Sequence, residues 1–449
     1  GGRWPQFYGM PKESIDVVFL GSSHAHCTID HSILWDKYGM AGYTLSAGFQ
    51  HLDSTYYFMK EALEVQKPKL LVVEVWGAVL PGLENTDESV YRNSLGMKWS
   101  LNLWEFANHF SGDLDKDTTY RNRVFAKFPI IHSRYKELVK GDFEDDIYFK
   151  IGYSGGFGKT EFEHPKEIDE KNIQPLDKKC EEYLYKIIRL AQEHETELLF
   201  VASPYFLSDE EQMLLNRVSE IAGEENIPMI NYNHMYEEVG IDFKNDFRDR
   251  AHVNNYGAEK ITLHLADYIK SNYEIPDRRG QAGYEAWDLN KRYMDGQWEA
   301  KALSDAQEVN TYLYTLSTLK EKTVVLSLTG NHTALGDIYY NSLAGLGISY
   351  EDYTKGGVWV FESGTPTLYM PGKEYNRCYK MKNNEIHFES KVIGEEQQAE
   401  IIFEGNNYSL VQNGINVVVY DQITGHLIDA AGIDIYVGTG VVRDGNAVY

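Results

Sequence analysis

Short apolar runs that end in small or polar residues are the feature that most constrains the fold of this chain. The first run, Ile15–Leu20, is rich in β-branched residues and is followed by Gly-Ser-Ser. Lys69–Val75 and Glu197–Ala202 repeat the pattern, and Pro228–Asn231 is a shorter example. Runs of this length and composition are typical of strands that are buried on both faces. We therefore predict a buried sheet that uses these four segments.

Helical patterns lie between these runs. Cys180–Glu195 places apolar residues at the i, i+3, i+4 and i+7 positions of one helix face, and Ala258–Lys270 does the same. Strands that alternate with helices form right-handed βαβ units, which build a parallel sheet covered on both faces. The fold class predicted for the N-terminal part is therefore α/β.

The alternation fails in two places, and these suggest the domain boundaries. Residues from about 81 to 178 are rich in Trp, Tyr, Asn and Gly, and we interpret them as an insertion of the kind that forms lids or substrate walls. Residues 276–307 are polar and predict a linker after an α/β domain of residues 1–275. Residues 308–449 contain strand-like runs separated by turns, and predict a smaller β-rich α+β domain.

The charge balance excludes one large class of function. The 449 residues include 43 Lys and Arg against 68 Asp and Glu, a formal net charge of −25. Such a chain lacks the basic face that a sequence-independent nucleic-acid binder needs.

Three cysteines are too few for a disulfide framework or a structural zinc site. No stretch reaches the roughly 18 apolar residues of a membrane span.

Two polar motifs suggest chemistry at the strand ends. Ser22 and Ser23 follow the first strand, where ligands bind in open α/β sheets. Asp249 and His252 precede a predicted helix, and at this spacing the carboxylate can orient the imidazole that takes a proton from a serine. Each motif alone is common, since a strand-to-helix turn often contains serine. The combination within one α/β unit is much more specific.

These motifs resemble those of the SGNH/GDSL hydrolase superfamily, over roughly Ile15–Tyr273. The resemblance implies a flavodoxin-like three-layer sheet, and it is greatest for the cell-surface branch related to polysaccharide and teichoic-acid O-acylation. It makes Ser23 the nucleophile, His252 the general base and Asp249 the orienting acid. It also implies an oxyanion hole built from the N–H groups of Ser23 and Gly48.

The third block of the superfamily, G-x-N-D, departs from its usual form here. The third strand continues into Glu74-Val75-Trp76-Gly77, and no Asn is present to donate to the oxyanion. Loss of one such donor typically slows acyl transfer by ~10²–10³, so slow hydrolysis or transfer to a bound acceptor is expected. Candidate substrate-wall residues are taken from the loops at the same sheet edge: Gln50, His24, Trp76, Tyr205 and Arg92.

Other interpretations of individual residues stay open. His24 and His26 form an H-x-H pair as in some metal hydrolases, but no further ligand cluster stands out, and we predict no metal and no cofactor. The insertion residues, Arg92 included, could also be solvated loop residues. Residues 310–436 resemble the interleukin-like EMT inducer (ILEI) domain, through segments such as Val324–Leu328 and Gly414–Asp421. This implies carbohydrate binding by analogy; a packing or dimerisation domain is the alternative.

The leading hypothesis is an enzyme that transfers an O-acyl group to a cell-surface polysaccharide, or hydrolyses its ester, through an acyl-serine. A plain carbohydrate esterase (deacetylase) would use the same residues, and a non-catalytic glycan-binding surface protein is the third possibility. The resemblance implies a cell-surface glycan or acylated polysaccharide as partner, together with a membrane-bound O-acyltransferase, and no nucleic acid. The chain begins at Gly1-Gly2 without Met, and we expect an extracytoplasmic location with an N-terminal anchor that this sequence lacks.

Overall fold

The chain divides into two compact units, Gly1–Lys291 and Arg292–Tyr449. The computed structural model describes residues 3–80, 93–113, 147–371, 375–381, 385–393, 396–436 and 440–443. Each unit has its own core.

Unit 1 is built on a five-stranded parallel sheet. Its strands are β1 Val17–Gly21, β2 Gly42–Ser46, β3 Leu70–Glu74, β4 Glu197–Ala202 and β5 Met229–Asn231. The order β2-β1-β3-β4-β5 is the flavodoxin-like arrangement, in which the carboxyl ends of all strands lie at one edge. The predicted fold class is confirmed. The first three strands are fully buried, which explains the nearly continuous apolar sequences of β1 and β3.

Helices flank this sheet. They are α1 Arg3–Gly9, α2 Ser23–Thr28, α3 His31–Tyr38, α4 Leu52–Val65, α5 Leu101–Asp113, α6 Ile147–Lys150, α7 Lys178–Glu193, α8 Asp209–Glu224, α9 Tyr236–Val239 and α10 Asn255–Asn272. Helix α4 packs with α7, whereas α10 packs with α2 and α3. Short 3₁₀ turns follow β3 at Val75–Ala78 and β5 at Tyr232–His234.

The segment 276–307 differs from the expected linker. Helix α11 Glu285–Asp305 occupies most of it, and the boundary between the units falls inside this helix. The preceding residues pack on unit 1: Arg278 pairs with both carboxylate oxygens of Asp16 at 2.8 and 2.9 Å. The Trp287 ring is fully buried, and its Nε1–H donates to the carbonyl of Gly42 at 2.9 Å. A few anchoring side chains therefore order a segment whose composition is polar.

Unit 2 contains two antiparallel sheets. Strands β6 Lys322–Thr329, β7 Gly357–Glu362, β8 Thr365–Pro371, β13 Gly414–Asp421, β14 Leu427–Asp434 and β15 Val442–Arg443 form the larger sheet, in the order β15-β14-β13-β6-β7-β8. Strands β9 Tyr375–Lys380, β10 Glu385–Ile393, β11 Glu396–Phe403 and β12 Asn406–Asn407 form the smaller one. The helices of this unit are the rest of α11, α12 Val309–Thr318, α13 Tyr340–Gly345 and α14 Tyr350–Lys355, with a 3₁₀ segment at His332–Ile338.

The larger sheet of unit 2 is covered on both faces. Alternate residues of β6 belong to different cores: Val324 and Leu326 pack with the helices, while Val325 packs with Ile401 and Phe403 of the smaller sheet. The turn Gln422–Gly425 joins the antiparallel strands β13 and β14. These findings support a separate β-rich region; the similarity to the ILEI domain stays a prediction.

Candidate active site

The turn that carries Ser23 is shaped by Gly21 and Ser22. Gly21 has φ +142°, and a Cβ atom there would lie 2.8 Å from the Cβ of Glu74 and 2.9 Å from its carbonyl oxygen. Only glycine fits this backbone conformation without strain. Ser22 then caps helix α2, because its Oγ accepts from the His24 N–H at 3.2 Å. Ser23 becomes the first helical residue, partly exposed at the sheet edge.

A second turn presents His252 next to the start of α10. The backbone bridge between Phe247 and Val253 closes this turn, and the Arg248 N–H donates to the His252 carbonyl at 2.9 Å. Asn254 caps α10 by accepting from the N–H groups of Tyr256 and Gly257. The turn is therefore held at both ends, and it places the imidazole in a defined position.

The structure brings Ser23, His252 and Asp249 together. His252 Nε2 lies 2.8 Å from Ser23 Oγ, although the two residues are 229 positions apart. On the other side of the ring, His252 Nδ1 lies 2.9 Å from Asp249 Oδ1 and 3.1 Å from Oδ2. These are the distances that transfer of the serine proton to an oriented imidazole requires.

Asp249 is held as a carboxylate by its surroundings. Its Oδ1 also accepts from the N–H groups of Ala251 at 2.8 Å and His252 at 2.9 Å. Partial burial favours the neutral acid, but the hydrogen bonds from His252 and Ala251 outweigh it, and the pKa of Asp249 is lowered below its usual 3.8. A negative charge that faces Nδ1 favours the tautomer that leaves Nε2 free to accept the Ser23 proton.

Arg248 is a supporting residue that sequence reasoning missed. Its Nη2 donates to Cys27 Sγ at 3.5 Å and its Nη1 donates to the Ser154 carbonyl at 3.5 Å. Its Nε lies 3.4 Å from Asp249 Oδ2. Arg248 thus links the His252 turn to helix α2. The sequence feature that could have identified Arg248 is its position directly before Asp249.

Gly48 lies in the loop that leaves the neighbouring strand β2. Gly21 and Ser46 are paired in the sheet, so Ser23 and Gly48 each come two residues after a paired position at the same sheet edge. Gly48 is exposed, and a Cβ atom there would meet nothing within 4 Å. Ser23, at the start of α2, and Gly48, in the loop after β2, thus lie at the same edge of the sheet.

Aromatic rings form a wall beside Ser23 that we call the aromatic wall: His24, Trp76, Tyr205 and Phe49. The His24 ring stacks on Trp76 with centroids 4.6 Å apart, meets Tyr205 edge-on at 4.8 Å, and lies 5.4 Å from the His252 ring. Burial lowers the pKa of His24 to about 3, so the ring stays neutral. Phe49 was not identified from the sequence. It is 64% exposed, has φ +52°, and lies 6.2 Å from Trp76.

Of the five expected substrate-wall residues, Gln50 and Arg92 are not part of the aromatic wall. Gln50 is fully buried and points toward helix α4, where its Nε2 donates to Thr55 Oγ1 at 3.0 Å. It therefore presents no surface to a substrate, because the chain turns inward after the exposed Phe49. Arg92 lies outside the described residues.

His26 contacts the end of the neighbouring strand β2. Its Nδ1 lies 2.8 Å from Ser46 Oγ, and burial lowers its pKa well below 6.5. Within the described ranges, no group of three His, Cys, Asp or Glu side chains converges as a metal site would require. Among the described helices, none is both long and apolar enough to cross a membrane.

Comparisons with known proteins add little to this geometry. No protein-family model matches the chain, and no curated protein matches it. Among solved structures, a putative acylhydrolase from Bacteroides fragilis is matched at 12% sequence identity, over 60% of this chain and 95% of that chain, with a TM-score of 0.32. A similarity at this level does not define an activity.

Proposed function

We propose that unit 1 is a serine-dependent enzyme that transfers an O-acyl group to, or hydrolyses an ester of, a cell-surface polysaccharide. The observation that supports this most directly is the continuous hydrogen-bonded series from Ser23 Oγ through His252 to the Asp249 carboxylate. In a purely structural turn, a partly exposed serine, imidazole and carboxylate have no need to align in this way. Such an alignment lowers the barrier to nucleophilic attack by an alcohol.

The reaction proceeds in two steps, acylation of Ser23 and deacylation. Ser23 Oγ attacks the acyl carbon while its proton moves to His252 Nε2, and Asp249 stabilises the imidazolium that results. The N–H groups of Ser23 and Gly48 donate to the oxyanion of the tetrahedral intermediate. The intermediate collapses to acyl-serine, and the alcohol leaves with the proton from His252. A sugar hydroxyl or water then attacks the acyl-serine while His252 takes its proton, and Ser23 Oγ leaves with that proton from His252.

The surroundings of the triad favour a substrate that approaches from solvent. The His252 side chain is 18% exposed and that of Asp249 is 47% exposed. The aromatic wall extends from the buried His24 to the exposed Phe49. An open site of this kind suits one residue of a long polymer, since the chain can continue on either side. We therefore propose that the aromatic wall contacts the sugar that carries the ester.

The test uses nitrophenyl acetate and acetylated oligosaccharides with the parent protein and Ser23→Ala. We expect Ser23→Ala to lose the activity and to lose labelling by a fluorophosphonate probe. The matched control is Ser32→Ala, a buried serine of helix α3 that contacts Asp30 and lies outside the site. Equal turnover by Ser23→Ala and the parent would show that Ser23 is not the nucleophile.

Transfer and hydrolysis differ in the second step only, and the partial exposure of the triad leaves water free to compete. Product analysis with and without an oligosaccharide acceptor distinguishes them. Transfer produces acylated sugar at the expense of free acid, whereas a deacetylase produces free acid alone. We further propose an extracytoplasmic location, a membrane-bound O-acyltransferase as the acyl source, and glycan binding by unit 2. Loss of polysaccharide binding on deletion of residues 308–449 would support this last role.

A further inference from the structure

Glu74 is a buried carboxyl group at the point where a further oxyanion donor was expected. It is the last residue of β3, the strand beside β1 in the middle of the sheet, and it is 4% exposed. A buried carboxyl is costly unless its surroundings satisfy it. Its partners therefore indicate what the group is for.

Groups from three different loops surround the Glu74 carboxyl. Oε1 accepts from the Trp76 N–H at 3.1 Å, within the 3₁₀ turn after β3. Oε2 accepts from Ser22 Oγ at 3.2 Å, and the Ser22 backbone N–H also bonds to the carboxyl group. The backbone N–H of Ser203, directly after β4, also favours the ionised form of the carboxyl group. One side chain thus joins the carboxyl ends of β1, β3 and β4.

Two of these loops hold the parts of the site. Ser22 precedes Ser23 and also holds the start of α2 through the His24 N–H. Trp76 stacks on His24, whose ring is 5.4 Å from His252. Gly21 leaves the space that Glu74 fills, because a side chain there would collide with it. The nucleophile turn and the aromatic wall therefore share one buried contact.

We propose that Glu74 is a positioning residue that fixes the Ser23 turn against the Trp76 turn, and so sets the direction of Ser23 Oγ and of its backbone N–H. This inference depends on the proposed function of Ser23 for its kinetic consequences. The effect is indirect, because Glu74 acts through Ser22 and Trp76. Removal of the side chain takes the acceptor away from Ser22 Oγ and from the Trp76 N–H.

The experiment compares Glu74→Ala and Glu74→Gln with the parent protein. The control is Asp16→Ala, which removes a buried carboxyl just before the opposite end of β1, where it pairs with Arg278. The readouts are the rate of fluorophosphonate labelling per folded molecule, kcat and KM for nitrophenyl acetate, and a crystal structure of Glu74→Ala.

We expect Glu74→Ala to lower kcat and the labelling rate by at least tenfold with little change in KM. Glu74→Gln, which keeps the shape and one acceptor, should restore most of the rate. Asp16→Ala should lose stability without losing rate per folded molecule. A Glu74→Ala protein that labels at the parent rate would overturn the inference.

The crystal structure keeps the inference testable even if Ser23 has no activity in the parent protein. The expected finding is a displaced Ser22–Ser23 turn and a Ser23 Oγ to His252 Nε2 separation well beyond 2.8 Å. An unchanged turn would reject the positioning role on structural grounds alone. Absence of labelling in the parent protein would instead reject the proposed function, so the two failures are distinguishable.

Discussion

Replacement of Glu74 by Gln should change how the stability of unit 1 depends on pH. Burial raises the pKa of Glu74 from its ordinary 4.5 to about 8, even though hydrogen bonds from Trp76 and Ser22 act in the opposite direction. Below about pH 4.5, both the folded and the unfolded chain hold this proton. Between pH 4.5 and 8, the unfolded chain releases it while the folded chain retains it, so the free energy of unfolding falls as pH rises.

The magnitude follows from the size of the pKa difference. One pKa unit corresponds to about 1.4 kcal/mol, so the full window from 4.5 to 8 corresponds to at most about 5 kcal/mol. Above pH 8, both states are ionised and the difference becomes constant. Other groups that face this region stay neutral: burial raises the pKa of Tyr205 well above 10 and lowers that of His24 to about 3. In the unfolded chain His24 titrates near 6.5, which makes stability rise with pH below that value, so the contribution of Glu74 is obtained from the difference between the parent and Glu74→Gln.

The assay is urea unfolding of the parent protein and Glu74→Gln at several pH values from 5 to 9. Six of the eight tryptophans precede residue 292, so fluorescence reports mainly on unit 1. The amide of Gln does not titrate. The free energy of unfolding of the parent, relative to that of Glu74→Gln, should therefore fall from pH 5 to about 8 and then level off. A relative stability that is flat or that rises over this range would refute the reasoning.

Three further predictions address the triad, the aromatic wall and unit 2. Asp249→Asn should lower kcat by ~10³–10⁴, because an amide N–H facing His252 Nδ1 selects the wrong tautomer; steady-state kinetics measures this, and near-parent kcat would contradict it. Phe49→Asn should raise KM for acetylated oligosaccharides several-fold but leave nitrophenyl acetate and stability nearly unchanged, because Phe49 is exposed and Asn tolerates positive φ. If Phe49→Asn has the parent KM for acetylated oligosaccharides, Phe49 does not contact the sugar. Tyr312→Phe should destabilise unit 2 by about 1–3 kcal/mol, because the buried Asp429 carboxylate loses a 2.8 Å hydrogen bond. Calorimetry measures the loss, and ester hydrolysis should stay at the parent rate.

The apolar strands and their sheet could be predicted because burial imposes the pattern locally. Glu197–Ala202 was predicted with the bounds that the structure has, and the first and third strands within two residues. The second strand, Gly42–Ser46, was missed since Gly, Thr and Ser interrupt its apolar character. It is recognisable only once β1 is present to pair with it.

The sequence by itself determined that the chain has an α/β unit with a serine motif after the first strand and an Asp-His motif before a helix, because those motifs are contiguous and their spacing is local. Tertiary structure alone decided which groups meet. The 2.8 Å contact between His252 and Ser23, the anchoring of the His252 turn by Arg248, and the burial of Glu74 under three loops all join distant parts of the chain. Such contacts depend on the stacking of strands in the order β2-β1-β3-β4-β5, and no single segment contains that order.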